Sequence, residues 1–246
     1  PERRLDGVKA TPALPDRVLR HAARADDPSG VLAVVAEAGH PFGDLLPPTT
    51  GRGRHGTTDL FAVETALCRA WARRAVEGAG RDRGLRRFVG RAVDLENAWT
   101  ALLAPASLLA DDARRARDEA APDEDAHLHL AGGAALSAGH FRSVLQAAER
   151  SRRLELLAQA FAGTPLARTF ADPGVGPAGL EARALDARVA EERGVGRTDP
   201  LGPAPLLEYV LRLRREVARL RRVAWGLEMG APPPDRAGRG ERGRAA

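Results

Sequence analysis

The chain has 246 residues, of which 43% are hydrophobic. That is enough for one large domain or two small ones with real cores, and it excludes wholesale disorder. The formal charge of +5 comes with only one lysine, Lys9, and with acids interleaved among the arginines. The high pI of about 10.6 therefore reads as arginine used in place of lysine, and a nucleic-acid-binding helical protein is kept only as the alternative function. Cys68 is the only cysteine, which excludes a disulfide framework and a cysteine zinc site and suits a reducing cytoplasm. No apolar run approaches the ~20 residues of a membrane span.

In chain order the expectations are almost all helical. Residues 1–13 read as an N-terminal remnant and residues 14–110 as a first helical module. It opens with short helices over 15–38 around VLAVVAEA, closed by Gly39. The Pro/Gly/Thr-rich LLPPTTGRGRHGTT follows as a loop. Thr58 and Asp59 offer N-cap chemistry for a helix with Leu60, Val63, Leu67 and Trp71 on one face, ending at residues 78–80. A further helix covers 83–110, with Leu85, Phe88, Val93, Leu95, Trp99 and Leu102 apolar. Residues 111–135 read as an exposed connection. The second module, 136–230, holds helices at 137–148 and 151–162 closed by Gly163, another Pro/Gly loop, a helix over 179–192 and a long arginine-rich helix. Residues 231–246 read as a disordered basic tail.

The order repeats. VLAVVAEAGHPF is answered by LELLAQAFAGTPL, the Glu64 helix by the Glu181 helix, and Leu95-Glu96-Asn97 by Leu207-Glu208-Tyr209. Two copies of one helical module fit this order, with a chance match of helical patterns as the alternative.

No motif points to catalysis. The GxGxxG strings at Gly51 and Gly174 follow LLPPTT and FADP rather than strands, so they read as flexible turns. DEDAHLHL carries carboxylates and imidazoles but reads as a solvated loop rather than a metal site. No catalytic, cofactor or metal residue is assigned. Asp94 and Asn97, three apart in VDLENAWTAL, are expected to serve structure, with Asp94 capping backbone N–H groups. Glu64 and Glu181 are expected to pair with arginines of neighbouring helices, and Glu191-Glu192 to lie on a polar helix face.

The stretch PLLEYVLRLRREVARLRRVAWGLEMG carries apolar residues at Leu206, Val210, Leu213, Val217, Leu220, Ala224 and Leu227, in alternating steps of four and three. That is the spacing of a coiled-coil seam. Leu207, Val223 and Trp225 add apolar surface off the seam, so the expectation is a helix packed against several neighbours, with a solvated or salt-bridged arginine face.

The same stretch resembles the C-terminal signature of the C subunit of V-type and A-type ATPases (ATP synthases), the relative of the d subunit of vacuolar ATPases. Tyr209, Glu216, Val217, Leu220, Arg221 and Gly226 match it, whereas Arg219 stands where the family commonly has asparagine. Asp94 and Asn97 are similar to the family's Asp-x-x-Asn helix, HLAGGAALSAGHF to its glycine pair, and Glu64 and Glu181 to its module-start acids. The likeness spans roughly residues 14–235. It implies an all-α protein of repeated helical modules around a funnel, with two of the family's usual three modules recognised. It also implies a non-catalytic coupling subunit without cofactors, peripheral on the cytoplasmic face of the membrane. Its partners would be the central stalk and the membrane rotor ring of a proton or sodium motor, and no nucleic acid. Arg212, Arg215, Arg219 and Arg222 are the expected partner contacts.

Overall fold

The computed structural model describes residues 14–25, 27–40, 60–103 and 128–229. The expected caps Thr58 and Asp59, the first GxGxxG string, residues 104–127 and the C-terminal tail lie outside them. Every regular element among the described residues is an α-helix. The chain divides into two compact units, Pro1–Gln146 and Ala147–Ala246.

The first unit begins with α1 (Asp16–Ala22) and α2 (Pro28–Glu37). The start of α2 is chemically marked: Asp27 accepts a hydrogen bond from Gly30 N at 2.7 Å, and Pro28 occupies the first turn. Helix α3 (Leu60–Gly78) and α4 (Arg83–Leu103) form an antiparallel pair joined by a tight turn. Asp82 caps α4 by accepting from Leu85 N at 2.8 Å. The inward face of α3 differs from the expected one. Ala72 is buried with Val93 and Leu130, and Cys68 packs against that cluster, while Trp71 is 36% exposed. Alanine contributes to both faces of this helix, which blurred its apolar period. Helix α4 buries Gly90, Val93, Leu95, Ala98, Ala101 and Leu102, together with the polar Asp94 and Asn97.

The described end of the expected exposed connection is exposed only in part: Ala131, Gly132 and Ala134 are exposed, but Leu128 and Leu130 are buried, as is Leu136 just after it. This segment leads into α5 (Ala138–Gln146), which packs on α4 and is capped by Ser137 accepting from His140 N at 3.3 Å. Phe141, Val144 and Leu145 of α5 face inward, and His129 meets Phe141 edge-on with ring centroids 5.3 Å apart.

The second unit contains α6 (Arg150–Ala160), α7 (Leu166–Phe170), α8 (Pro177–Thr198) and α9 (Ala204–Glu228). Gly163, at φ +77°, turns the chain between α6 and α7. The short α7 lies in what the sequence suggested was a loop. Its Leu166 and Phe170 sit one turn apart and are fully buried, and Phe170 stacks on Phe161 at 5.2 Å. Leu154, Leu157 and Leu180 complete this core, each contributing about 1.5–3 kcal/mol of burial. Helix α8 runs longer than expected, and it buries Arg188 and Glu192 one turn apart. Glu192, 2% exposed, is thus not on a polar face.

Candidate functional site

Two features gather the residues singled out from the sequence. The first is a polar clasp inside the first unit. Asp94 on α4 is fully buried and accepts hydrogen bonds from three consecutive backbone N–H groups: Ala134 at 3.2 Å, Ala135 at 3.0 and 3.1 Å, and Leu136 at 3.0 Å. One turn further on, Asn97 is equally buried. Its Nδ2 donates to Leu130 O at 2.9 Å and its Oδ1 accepts from Leu130 N at 2.7 Å. The amide side chain thereby completes both hydrogen bonds of one peptide residue, as a neighbouring strand would. Asp94 does cap backbone donors, as its residue type suggested, but they lie 40 to 42 positions away rather than in its own helix.

The glycine pair is what lets this segment approach. A Cβ on Gly133 would overlap the Asp94 carboxylate, and one on Gly132 would overlap Val76. Gly132 also adopts φ +107°, a conformation that favours glycine. On α4, a Cβ at Gly90 would stand 3.3 Å from Gly132 O. The spacing Gly90…Asp94…Asn97 is therefore one helix face shaped to receive an extended segment. The pairing of Asp94 and Asn97 with residues 130–136 was the part hidden in the sequence, although the GG in HLAGG was its visible signal.

Cys68 lies beside the clasp on α3. Burial, reinforced by the charges of Glu96 and Glu64, pushes its thiol above the ordinary cysteine range. Glu64 itself is exposed, as is Glu181 on α8, and neither forms an ion pair with a described residue. The pairing expected for these two acids is therefore absent among the described residues.

The second feature is a groove of about 910 Å³ along α8 and α9. Glu181 and Asp186 on α8 line it, together with Arg212, Arg215, Arg219 and Arg222 on α9. Glu216 and Arg221 also reach it. Two of these arginines are already paired, Arg212 with Glu208 and Arg215 with Asp186, each at 2.9 Å. Arg193 on α8 grips Glu208 as well, at 2.9 Å, and holds its carboxyl below the usual range. The Arg193–Glu208 and Arg215–Asp186 bridges tie α9 to α8 and fix which side of α9 faces inward. That side carries Ala204 and Leu211, 1% and 2% exposed. The expected apolar seam lies on a different side. Leu206, Val210, Leu213, Val217 and Leu220 are all exposed, as are Tyr209, Ala224 and Trp225. The expectation that the seam packs against several neighbours is overturned.

The second glycine string occupies the loop between α7 and α8. A helix rather than a strand precedes it. Arg150 donates to the carbonyls of Pro173 and Val175, and Arg183 pairs with Asp172 at 2.8 Å. Among the described residues, no group of three His, Cys, Asp or Glu side chains is placed to hold a metal, and no helix is long and apolar enough to cross a membrane.

The profile of the ATP synthase (C/AC39) subunit family matches residues 2–235. The chain belongs to this family. It is similar to the C subunit of the V-type ATP synthase from two strains of Thermus thermophilus, with 29% identity over 221 residues in each case. The aligned region covers 89% of this chain and 60% of each relative, so the chain spans about three fifths of the length of the curated relatives it matches. The resemblance drawn from the Asp94-Asn97 helix, the glycine pair and the last helix is thus shown at the level of the family.

Proposed function

We propose that this C/AC39-family chain is a non-catalytic coupling subunit of a V/A-type ATPase, joining the central stalk to the membrane rotor ring. The observation that carries this reading is the family match along nearly the whole chain. In this role the protein transmits torque between proteins rather than transforming a substrate, and its position is peripheral, on the cytoplasmic face. Its helical modules contribute to a funnel that receives the stalk.

The local geometry supports a body that resists deformation. The clasp joins α4 to residues 130–136 through buried, charge-assisted hydrogen bonds, which are stronger than neutral ones. Arg212, Arg215, Arg219 and Arg222 supply a surface for charge-assisted docking, which weakens as salt screens it. Glu64, Asp94, Asn97, Glu181, Tyr209, Glu216, Leu220 and Arg221 serve as framework in this reading.

The test is affinity capture of the tagged chain from detergent-solubilised membranes of its source at moderate salt, with partners identified by mass spectrometry. Recovery of ring and central-stalk subunits is the expected outcome. Recovery of nucleic acid with a steep salt dependence would replace the proposal with the alternative function. Recovery of neither, by a bait that is helical by circular dichroism, would refute the coupling role.

A further inference from the structure

The five large apolar side chains of the α9 seam, from Leu206 to Leu220, are between 46% and 67% exposed. The inward row of the same helix, Ala204, Leu211 and the half-buried Ala218, repeats every seven residues. At 3.6 residues per turn the seam lies about 140° around the helix from that row, so the contact with α8 leaves the seam uncovered. Val217 belongs both to the seam and to the arginine-lined groove between α8 and α9. The apolar stripe and the basic groove are therefore one continuous surface.

The two edges of the seam differ in charge. Arg214 and Arg221 stand one turn beyond Val210 and Val217, beside the valine row, and both line the groove. Tyr209 and Glu216 stand three residues beyond Leu206 and Leu213, beside the leucine row. Arg214, Glu216 and Arg221 form no ion pair with a described residue, whereas Arg212 and Arg215 are already bridged to Glu208 and Asp186. Arg222 bonds through its Nε to Ala218 O of its own helix, at 3.3 Å. Among the described residues, seven arginines and three acids line the groove, so it keeps an excess of positive charge after its internal pairs are formed.

We propose that the seam and its arginine edge receive an amphipathic helix of a partner protein, one with an apolar stripe and carboxylates along one flank. It deepens the coupling reading, on which it rests for the source of the helix. The chemistry of the surface selects this occupant. Apolar residues in steps of four and three match the stripe of another helix. Carboxylates beside that stripe meet the Arg214 and Arg221 guanidinium groups in bidentate pairs. A basic or amide side chain on the opposite flank meets Glu216. A run of phosphates, as in a nucleic acid, would instead bring like charge against Glu181 and Glu216, and would leave the five apolar side chains without cover. An anionic membrane surface would meet the same repulsion at Glu216, on the edge of the stripe. Because α8 already holds α9 helical, the receiving surface is preformed and docking orders only the partner.

The experiment places a photo-crosslinker in the tagged full chain, Val217→p-benzoylphenylalanine, and irradiates it in detergent-solubilised membranes of its source at moderate salt. The linked peptide is then sequenced by mass spectrometry. The expected link is to a stalk or ring subunit, in one segment with apolar residues at helical spacing and acids along one side. Arg214→Gln together with Arg221→Gln, both at exposed positions, should cut the yield of that link about tenfold while far-UV circular dichroism stays unchanged. Arg152→Gln, at an exposed arginine of α6 paired with Glu155 at 2.8 Å, should leave the yield unchanged. A linked segment without acids, a link to lipid or nucleic acid, or a yield indifferent to the double substitution would overturn the proposal. Co-purification of ring and stalk subunits with no link at position 217 would overturn it too, and would leave the coupling role standing. A link to an acidic helix of a protein outside the ring and stalk, lost on the double substitution, would uphold the docking chemistry and refute the coupling role.

Discussion

Replacing Asp94 by alanine tests the clasp directly. The substitution removes an acceptor that serves three backbone N–H groups. Ala134 is exposed, so water can take over its donor, but Ala135 is half-buried and Leu136 is buried. These two donors, shielded in part or in full from water and left without an acceptor, cost up to about 1–3 kcal/mol each. The lost bonds were also charge-assisted, so the first unit should lose about 3–5 kcal/mol of stability. Asp94→Asn keeps the shape but sets an amide donor against one of those N–H groups, and should cost about half as much. Because the chain has two compact units, a global unfolding midpoint mixes two sources. Amide hydrogen exchange at residues 135 and 136 reads the clasp locally, and its protection should fall in step with the loss of stability. Asn97→Ala should expose the Leu130 amide in the same way, and the double substitution should show a coupling of about 0.5–3 kcal/mol. A loss below about 1 kcal/mol for Asp94→Ala, with unchanged exchange at 135 and 136, would refute the reasoning that these bonds hold the segment.

The two faces of α9 should respond differently to truncation. Leu211→Ala is expected to destabilise the second unit by about 2–5 kcal/mol, and Leu206→Ala by under about 0.5 kcal/mol; equal losses in urea titrations would show that the inward face is misassigned. The Cys68 thiol, its pKa raised chiefly by burial, should react with a disulfide reagent near neutral pH more slowly than a free cysteine, and rapid labelling of the native chain would contradict that environment. The same raised pKa favours the folded state below the ordinary thiol range, so stability should fall as pH climbs past about 8.5, and Cys68→Ser should flatten that limb. Glu208 and Asp172 have the opposite sign: arginine partners lower both pKa values in the fold. Their stabilisation should be present above the ordinary carboxylate values near 4 and be lost as pH falls further, and Arg193→Gln should reduce this acid sensitivity in a pH titration of unfolding.

Helices were legible in the sequence because their signals are local. Asp27-Pro28 opens α2 and Gly39, at φ +71°, closes it, all within a few residues of one another. The family was legible too, because the Asp94-Asn97 helix, the glycine pair and the last helix keep their types and order along the chain. The clasp was half legible. Asp94 and Asn97 stood out by residue type, but their partners lie at least 33 positions away, and local pattern says nothing of where a distant backbone will run. The short α7 was missed because five residues are too few for a helical period to show. The tertiary structure alone decided which face of α9 turns inward. Periodicity marked seven apolar positions as a seam, but the small Ala204 and Leu211 row and the bridges to Arg193 and Asp186 oriented the helix. An apolar stripe states that a surface prefers cover, and the geometry of the neighbouring helices determines what covers it.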